Sequence, residues 1–261
     1  MNLLIIGTGR VAYHLGHALK RAGHTVVGVA GRRAIATETL ARDLGTDAYA
    51  LNAAPPTADA ILIAVSDDAI AAVAAGLPVS DAVVIHTSGA STLDRLRPHP
   101  HRAVLWPLIS LSPGAPMDFG ELPLVTDADT AAAKDAVSAL ATSLSRRVHA
   151  LDHARRQVVH TAAAISLNFP VHLLARAQAL LEQERIDPQL LLPAFVATAQ
   201  RAAAIGPAEA LTGPARRGDK GTIHDHLERL AQDPELRTAY VLLSSMILRA
   251  YGHEDHGDTH L

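Results

Sequence analysis

The first half of the chain alternates short, uninterrupted apolar runs with longer segments in which apolar residues return every three or four positions. Leu3–Ile6 is the first run; it ends in Gly7-Thr8-Gly9, after which Val11, Leu15, Ala18 and Leu19 keep helical spacing as far as Arg21. Thr25–Ala30 and Ala60–Val65 repeat the strand pattern, with a helix over Ile35–Leu44 between them. Asp67 and Asp68 stand at the carboxyl end of that third run, and Asp68 is placed to cap the alanine-rich helix that comes next. Val83–His86 and Ala103–Trp106 read as further strands, and Pro123–Thr126 and Arg147–Ala150 flank a helix over Ala131–Leu144. Strands alternating with helices at this spacing require right-handed crossovers, which predicts an α/β fold with a doubly wound, mostly parallel sheet.

From His153 the strand pattern stops. Alanine- and leucine-rich helical segments cover about 153–183, 188–205, 223–232 and 235–250, so an all-helical second domain is expected. The division is 1–152 for the sheet-bearing domain and 153–261 for the helical one. A chain of 261 residues has the length at which one core divides into two.

Composition narrows the function classes. Aromatic residues make up only 3%, so the core must be built from Ala, Val, Leu and Ile, which suits helices on parallel strands better than a β-sandwich. The formal charge is −3 and scattered, which offers no basic face to nucleic acid and no polybasic stretch to a membrane surface. There is no cysteine, which excludes disulfides, thiol nucleophiles and cysteine-bound metals. The opening Met1–Ile6 lacks a basic start and runs into the glycine motif, so it reads as a structural strand rather than a leader, and the expected location is the cytoplasm. No uninterrupted apolar run approaches the ~20 residues needed to cross a bilayer.

The candidate chemistry begins at Gly7-x-Gly9-x-x-Ala12, between a strand and a helix. The first glycine permits the tight turn, the second lets backbone approach a pyrophosphate, and the small third residue allows close helix packing. Thr8, Arg10 and Val11 share that turn, whose helix start faces the phosphates. Val65 and Ser66 end the third strand beside it. At the end of the second strand, where a carboxylate would bind the ribose hydroxyls of NAD, the chain has Gly31-Arg32-Arg33. Guanidinium groups there suit a 2′-phosphate and favour NADP(H). The alternative is a pair of surface arginines at a strand end.

Three later segments, Ile85-His86-Thr87-Ser88-Gly89-Ala90, Trp106-Pro107-Leu108 and Leu211-Thr212-Gly213-Pro214-Ala215-Arg216-Arg217-Gly218-Asp219 with Thr222 and His226, resemble the Rossmann-like proteins that carry the DUF2520 helical domain. The resemblance covers nearly the whole chain. It implies NADP-dependent oxidoreductase chemistry and an architecture related to ketopantoate reductase, pyrroline-5-carboxylate reductase and 6-phosphogluconate dehydrogenase-like proteins. Trp106 is a departure, since the family more often has histidine there.

The long helix from His153 offers His160 and Asn168 among apolar residues; eight positions put them about 80° apart, on one half of the helix. Pro170 should kink this helix and free the Ser166 carbonyl. Ketopantoate reductases place a catalytic lysine on the corresponding helix, with an asparagine eight residues later, so the resemblance gives His160 the proton donor's position. Both residues could instead simply be satisfied where two domains meet. Ser88, at a strand's carboxyl end, and Asp219, in the loop 212–222, are the reserve catalytic candidates. Asp219 or Thr222 can cap the next helix, and Thr222 with Arg216 or Arg217 could receive a substrate carboxylate. His224 and His226 point in different directions, and His253, His256 and His260 sit in a polar tail, so no metal site is expected. The expected function is hydride transfer between NADPH and the carbonyl or imine carbon of a small carboxylated substrate such as ketopantoate, by a homodimer; the alternative is a non-catalytic NADP(H)-binding sensor or regulatory module.

Overall fold

A computed structural model describes residues 1–53 and 56–253. Two compact units emerge, Met1–Phe169 and the chain from Pro170 onward. The first holds an eight-stranded sheet: β1 (Asn2–Ile6), β2 (Thr25–Gly31), β3 (Ala48–Ala50), β4 (Ala60–Ile63), β5 (Val83–His86), β6 (Arg102–Pro107), β7 (Leu124–Ala128) and β8 (Val148–Ala150). Their spatial order is β3-β2-β1-β4-β5-β6-β7-β8, with every pair parallel except β6 with β7.

Both faces of this sheet are covered, which explains the uninterrupted apolar runs. Side chains alternate along β1: Leu3 and Ile5 join the core beneath α1 (Arg10–Arg21), α2 (Ala34–Leu44) and α4 (Ala131–Leu144). Leu4 and Ile6 join Ile61, Ile63, Val84 and Ile70 of α3 (Ile70–Ala75) on the other face. The α/β expectation therefore holds, and the sheet is mixed only from β7 on. The predicted cap of α3 does not form: a 3₁₀ turn, Asp67–Ala69, leads into that helix without a side-chain cap. In that turn the Ala69 N–H donates to the Ser66 carbonyl at 2.9 Å, so the backbone itself leads into α3 where the Asp68 carboxylate was expected.

Helix α5 (His153–Ala163) belongs to the first unit although the sequence changes character at its start. Asp152 caps it by accepting the Arg155 N–H at 2.9 Å, and Arg156 is fully buried. The helix then passes through a π turn, Ala164–Asn168, into α6 (Phe169–Gln183). Pro170 lacks an N–H, and the helix absorbs that loss by widening just before it rather than by breaking. The whole segment His153–Gln183 has a mean hydropathy of 1.4 over its most apolar window and is long and apolar enough to cross a membrane by those criteria alone. Its apolar positions are interrupted by His160, Asn168 and His172, and Arg156 is held inside the first unit.

The second unit is helical: most of α6, then α7 (Leu191–Ile205), α8 (Pro207–Ala210), α9 (Pro214–Arg217), α10 (Lys220–Arg229) and α11 (Pro234–Ala250). Its small core joins Ala215, Ile223, Leu227 and Leu248. Arg176 of α6 donates to Asp233 at 2.6 Å and to Glu235 at 3.2 Å, at the start of α11. No residue of α6 or α7 is buried.

Candidate functional site

The carboxyl ends of the parallel strands surround a cleft of about 1300 Å³ in the first unit. Chain order reverses between β1 and β4, which is where an open α/β sheet opens a crevice. Gly7, Thr8, Gly9, Arg10 and Val11 line it from the end of β1; Gly31, Arg32 and Arg33 line it from β2; Val65 and Ser66 from β4. Every cofactor residue read from the sequence thus faces one space.

Two glycines define the turn differently. Gly7 has φ +120, and a Cβ on it would sit 2.1 Å from the Ala64 carbonyl oxygen, so neither the conformation nor the space admits a side chain. A Cβ on Gly9 would meet nothing within 4 Å, so Gly9 leaves open room at the start of α1. That helix has no side-chain cap and no acid in its first turn. Its first N–H groups are therefore available to an anion, and the residues present fit a dinucleotide's pyrophosphate. At the β2 end, Arg33 opens α2 and its carbonyl accepts the Thr37 hydroxyl at 2.9 Å, while no carboxylate among the described residues pairs with Arg32 or Arg33. A second hollow of about 410 Å³ adjoins Gly31 and Arg32 and is lined by Leu51, Asn52, Ala72 and Val73 beside the cationic end.

The candidate catalytic residues are dispersed. Ser88 is buried and turned into the protein: its hydroxyl donates to Asp67 Oδ2 at 2.8 Å and accepts the N–H groups of Ala90 and Ser91 at 3.1 and 3.0 Å. Thr87, one residue earlier, lines the cleft instead. His160 is exposed on α5, with its ring centroid 5.6 Å from that of Trp106, which does line the cleft. Asn168 is exposed on the π turn, whose extra width alters the helical phase assumed for it. Asp219 lies in the second unit, where Oδ1 accepts the Thr222 N–H at 3.1 Å and Oδ2 the Thr222 hydroxyl at 2.8 Å. Those bonds hold its carboxyl below the usual range and occupy the start of α10. Arg216 lies 3.7 Å above the Tyr251 ring centroid, and its carbonyl is within 3.0 Å of His253 Nε2. His224 pairs with Glu228 and His226 with the Tyr240 hydroxyl; His256 and His260 lie outside the described residues.

Sequence reasoning missed the polar cluster behind the cleft wall. The Arg156 guanidinium, donated by α5, hydrogen-bonds through Nη1 to the carbonyls of Ser88, Gly89 and Ser91 at 3.4, 3.2 and 3.0 Å, and through Nη2 to Asp127 at 3.1 Å. His86 is also fully buried; Nδ1 accepts the Ser88 N–H at 3.2 Å, which puts its proton on Nε2. Burial first, and Arg156 second, push its pKa down to about 4. The only available signal was Gly89, whose absent side chain makes room for Trp106.

Fold and cleft together define a Rossmann-type α/β protein extended by a helical unit. Residues 1–110 match the Rossmann-like domain and residues 122–247 the domain of unknown function DUF2520. A "putative NADP oxidoreductase" from Bacteroides fragilis is 30% identical over 95% of this chain and 98% of its own, with a TM-score of 0.87. The chain belongs to the Rossmann-like/DUF2520 family. Protein TM1727 from Thermotoga maritima shares the fold at 22% identity over 96% and 98% of the two chains, TM-score 0.74. A reductive aminase from Aspergillus terreus, in complex with NADPH and ethyl-5-oxohexanoate, does so at 16% identity over 98% and 96%, TM-score 0.68. No curated protein matches the chain.

Proposed function

We propose that the protein is an NADP(H)-dependent oxidoreductase acting on the carbonyl or imine carbon of a small carboxylated compound, with ketopantoate the most concrete candidate. The observation that carries this reading is the cleft itself: open space at Gly9 on an uncapped helix start, and two arginines at the β2 end that have no carboxylate partner among the described residues. The name of the Bacteroides fragilis relative and the NADPH bound by the reductive aminase support it.

In this reading Arg32 and Arg33 hold the 2′-phosphate and the turn 7–11 holds the pyrophosphate. NADPH supplies the hydride when bound. His160 donates the proton that the reduced oxygen or nitrogen must gain, and Asn168 orients that atom. Exposed apolar residues on α6, α7 and α11, such as Val171, Val196 and Leu242, are covered by a second copy of the chain, making a cytoplasmic homodimer rather than a membrane-bound form.

One observation favours a second reading, a non-catalytic NADP(H)-binding sensor: within the first unit, none of His160, Asn168 and Ser88 is among the residues lining the cleft. A panel of 2-keto acids and cyclic imines, assayed for NADPH oxidation, separates the two. Turnover is expected, and His160→Ala should lower it by ~10²–10⁴-fold with NADPH affinity retained. Tight NADPH binding with no turnover on any member of the panel leaves the sensor.

A further inference from the structure

We infer that Arg156 is a positioning residue for the cleft: from α5 it clamps the turn 88–91, and through Gly89 it sets the attitude of Trp106 at the cleft wall. This rests on the dinucleotide reading of the cleft, and it adds a residue that touches neither the cleft nor anything in it.

The chain of contact is short and each link is of close geometry. Arg156 is fully buried, yet the carbonyls of Ser88, Gly89 and Ser91 and the Asp127 carboxylate all accept from it. A guanidinium with fixed donors is the side chain suited to gathering several carbonyls of one turn at once, and an ammonium can replace it only in part. The turn so held presses Gly89 onto the indole. A Cβ at that position would fall 2.5, 2.6 and 2.8 Å from Cε2, Cζ2 and Cδ2 of Trp106, so the backbone lies directly on the ring. Trp106 itself lines the cleft, and so does Thr87 at the front of the same turn. On its other contact the indole meets the His160 ring, which is carried by the helix that also carries Arg156. One helix therefore sets both the support of the indole and its neighbour.

Releasing Arg156 lets the turn relax and the indole tilt into the space that a nicotinamide or a substrate must occupy. Among the described residues no hydrogen bond, ion pair or ring contact joins Arg32 or Arg33 to this cluster, so the β2 end should not respond.

Trp106 is the protein's one tryptophan, so its emission reports this wall alone. The test titrates the wild type, Arg156→Met, Arg156→Lys and Gly89→Ala with NADPH, whose reduced nicotinamide absorbs where indole emits, and with 2′,5′-ADP, which carries only the phosphate end. In the wild type NADPH should quench Trp106 and 2′,5′-ADP should bind without quenching. Arg156→Met should lose most of the quenching and about tenfold in NADPH affinity while 2′,5′-ADP affinity stays within about twofold. Arg156→Lys should recover part of both. Gly89→Ala, which leaves the buried arginine in place, should reproduce the loss, and it carries the test if Arg156→Met fails to fold. If Gly89→Ala, or a folded Arg156→Met, keeps wild-type quenching and NADPH affinity, Arg156 does not position the wall. If the wild type binds neither ligand, the dinucleotide reading falls first and the inference with it.

Discussion

The two units use the same residues to opposite effect. In the first, alanine, valine, leucine and isoleucine disappear: all of β4 and β5 is buried, and Leu3, Leu4 and Ile5 are completely enclosed. In the second, α6 and α7 carry similar apolar residues and bury none of them, and Val171 and Val196 are more than half exposed. A sheet covered on both faces satisfies its apolar positions within the chain, whereas helices whose apolar residues stay exposed can satisfy them only against something else. Apolar periodicity therefore says that a face will be covered, not by what.

Gly7→Ala should cost about 3 kcal/mol or more, because a positive φ and a carbonyl 2.1 Å from the added carbon both oppose it, and dinucleotide binding should vanish. Thermal unfolding and calorimetry together read this. Unchanged melting would mean that the turn yields more easily than its geometry indicates.

On the exposed side, Val196→Glu with Leu242→Glu should leave folding of the first unit intact and convert the proposed dimer to monomer, read by light scattering over a dilution series. A monomeric wild type at micromolar concentration would remove the second copy from the account.

Buried polar groups sharpen the contrast through pH. His86 is held neutral, with a pKa of about 4 against an ordinary 6.5, so the unfolded chain takes up a proton below 6.5 that the native state refuses. Its contribution is fully present above pH 6.5 and is lost as pH falls towards 4, about 3 kcal/mol in all. His86→Asn can keep an acceptor for the Ser88 N–H and should flatten the stability curve across that window; identical curves for the two proteins would show that His86 is not the titrating group.

The fold was legible because fully buried parallel strands leave apolar runs in the sequence, and helices against them leave a period near 3.6. Strand β3 was not: Ala48–Ala50 is a three-residue edge strand with only one residue even half-buried. The turn 7–11, the β2 end and the β4 end could be read because sheet geometry brings strand ends together whatever the loops do. Arg156 could not, since its carbonyl acceptors lie 65 to 68 positions earlier, Asp127 lies 29 earlier, and nothing local distinguishes it from exposed Arg155. Ser88 and Thr87 show the same limit at one residue's resolution, where the backbone turn decides which hydroxyl faces the cleft.

The smallest effect expected belongs to the arginine pair. Arg32→Ala and Arg33→Ala should each weaken NADPH by ~1.5–3 kcal/mol, the worth of a charge-assisted hydrogen bond, and leave NADH untouched. Equal losses for both nucleotides would place these side chains away from the 2′-phosphate.

Whether the cleft of the first unit holds NADP(H) is decided by calorimetric titration of the wild-type protein with NADPH and NADH side by side. Saturable one-to-one binding of NADPH is expected, tighter than NADH by about tenfold or more. Equal affinities, or no heat from either nucleotide, would contradict it.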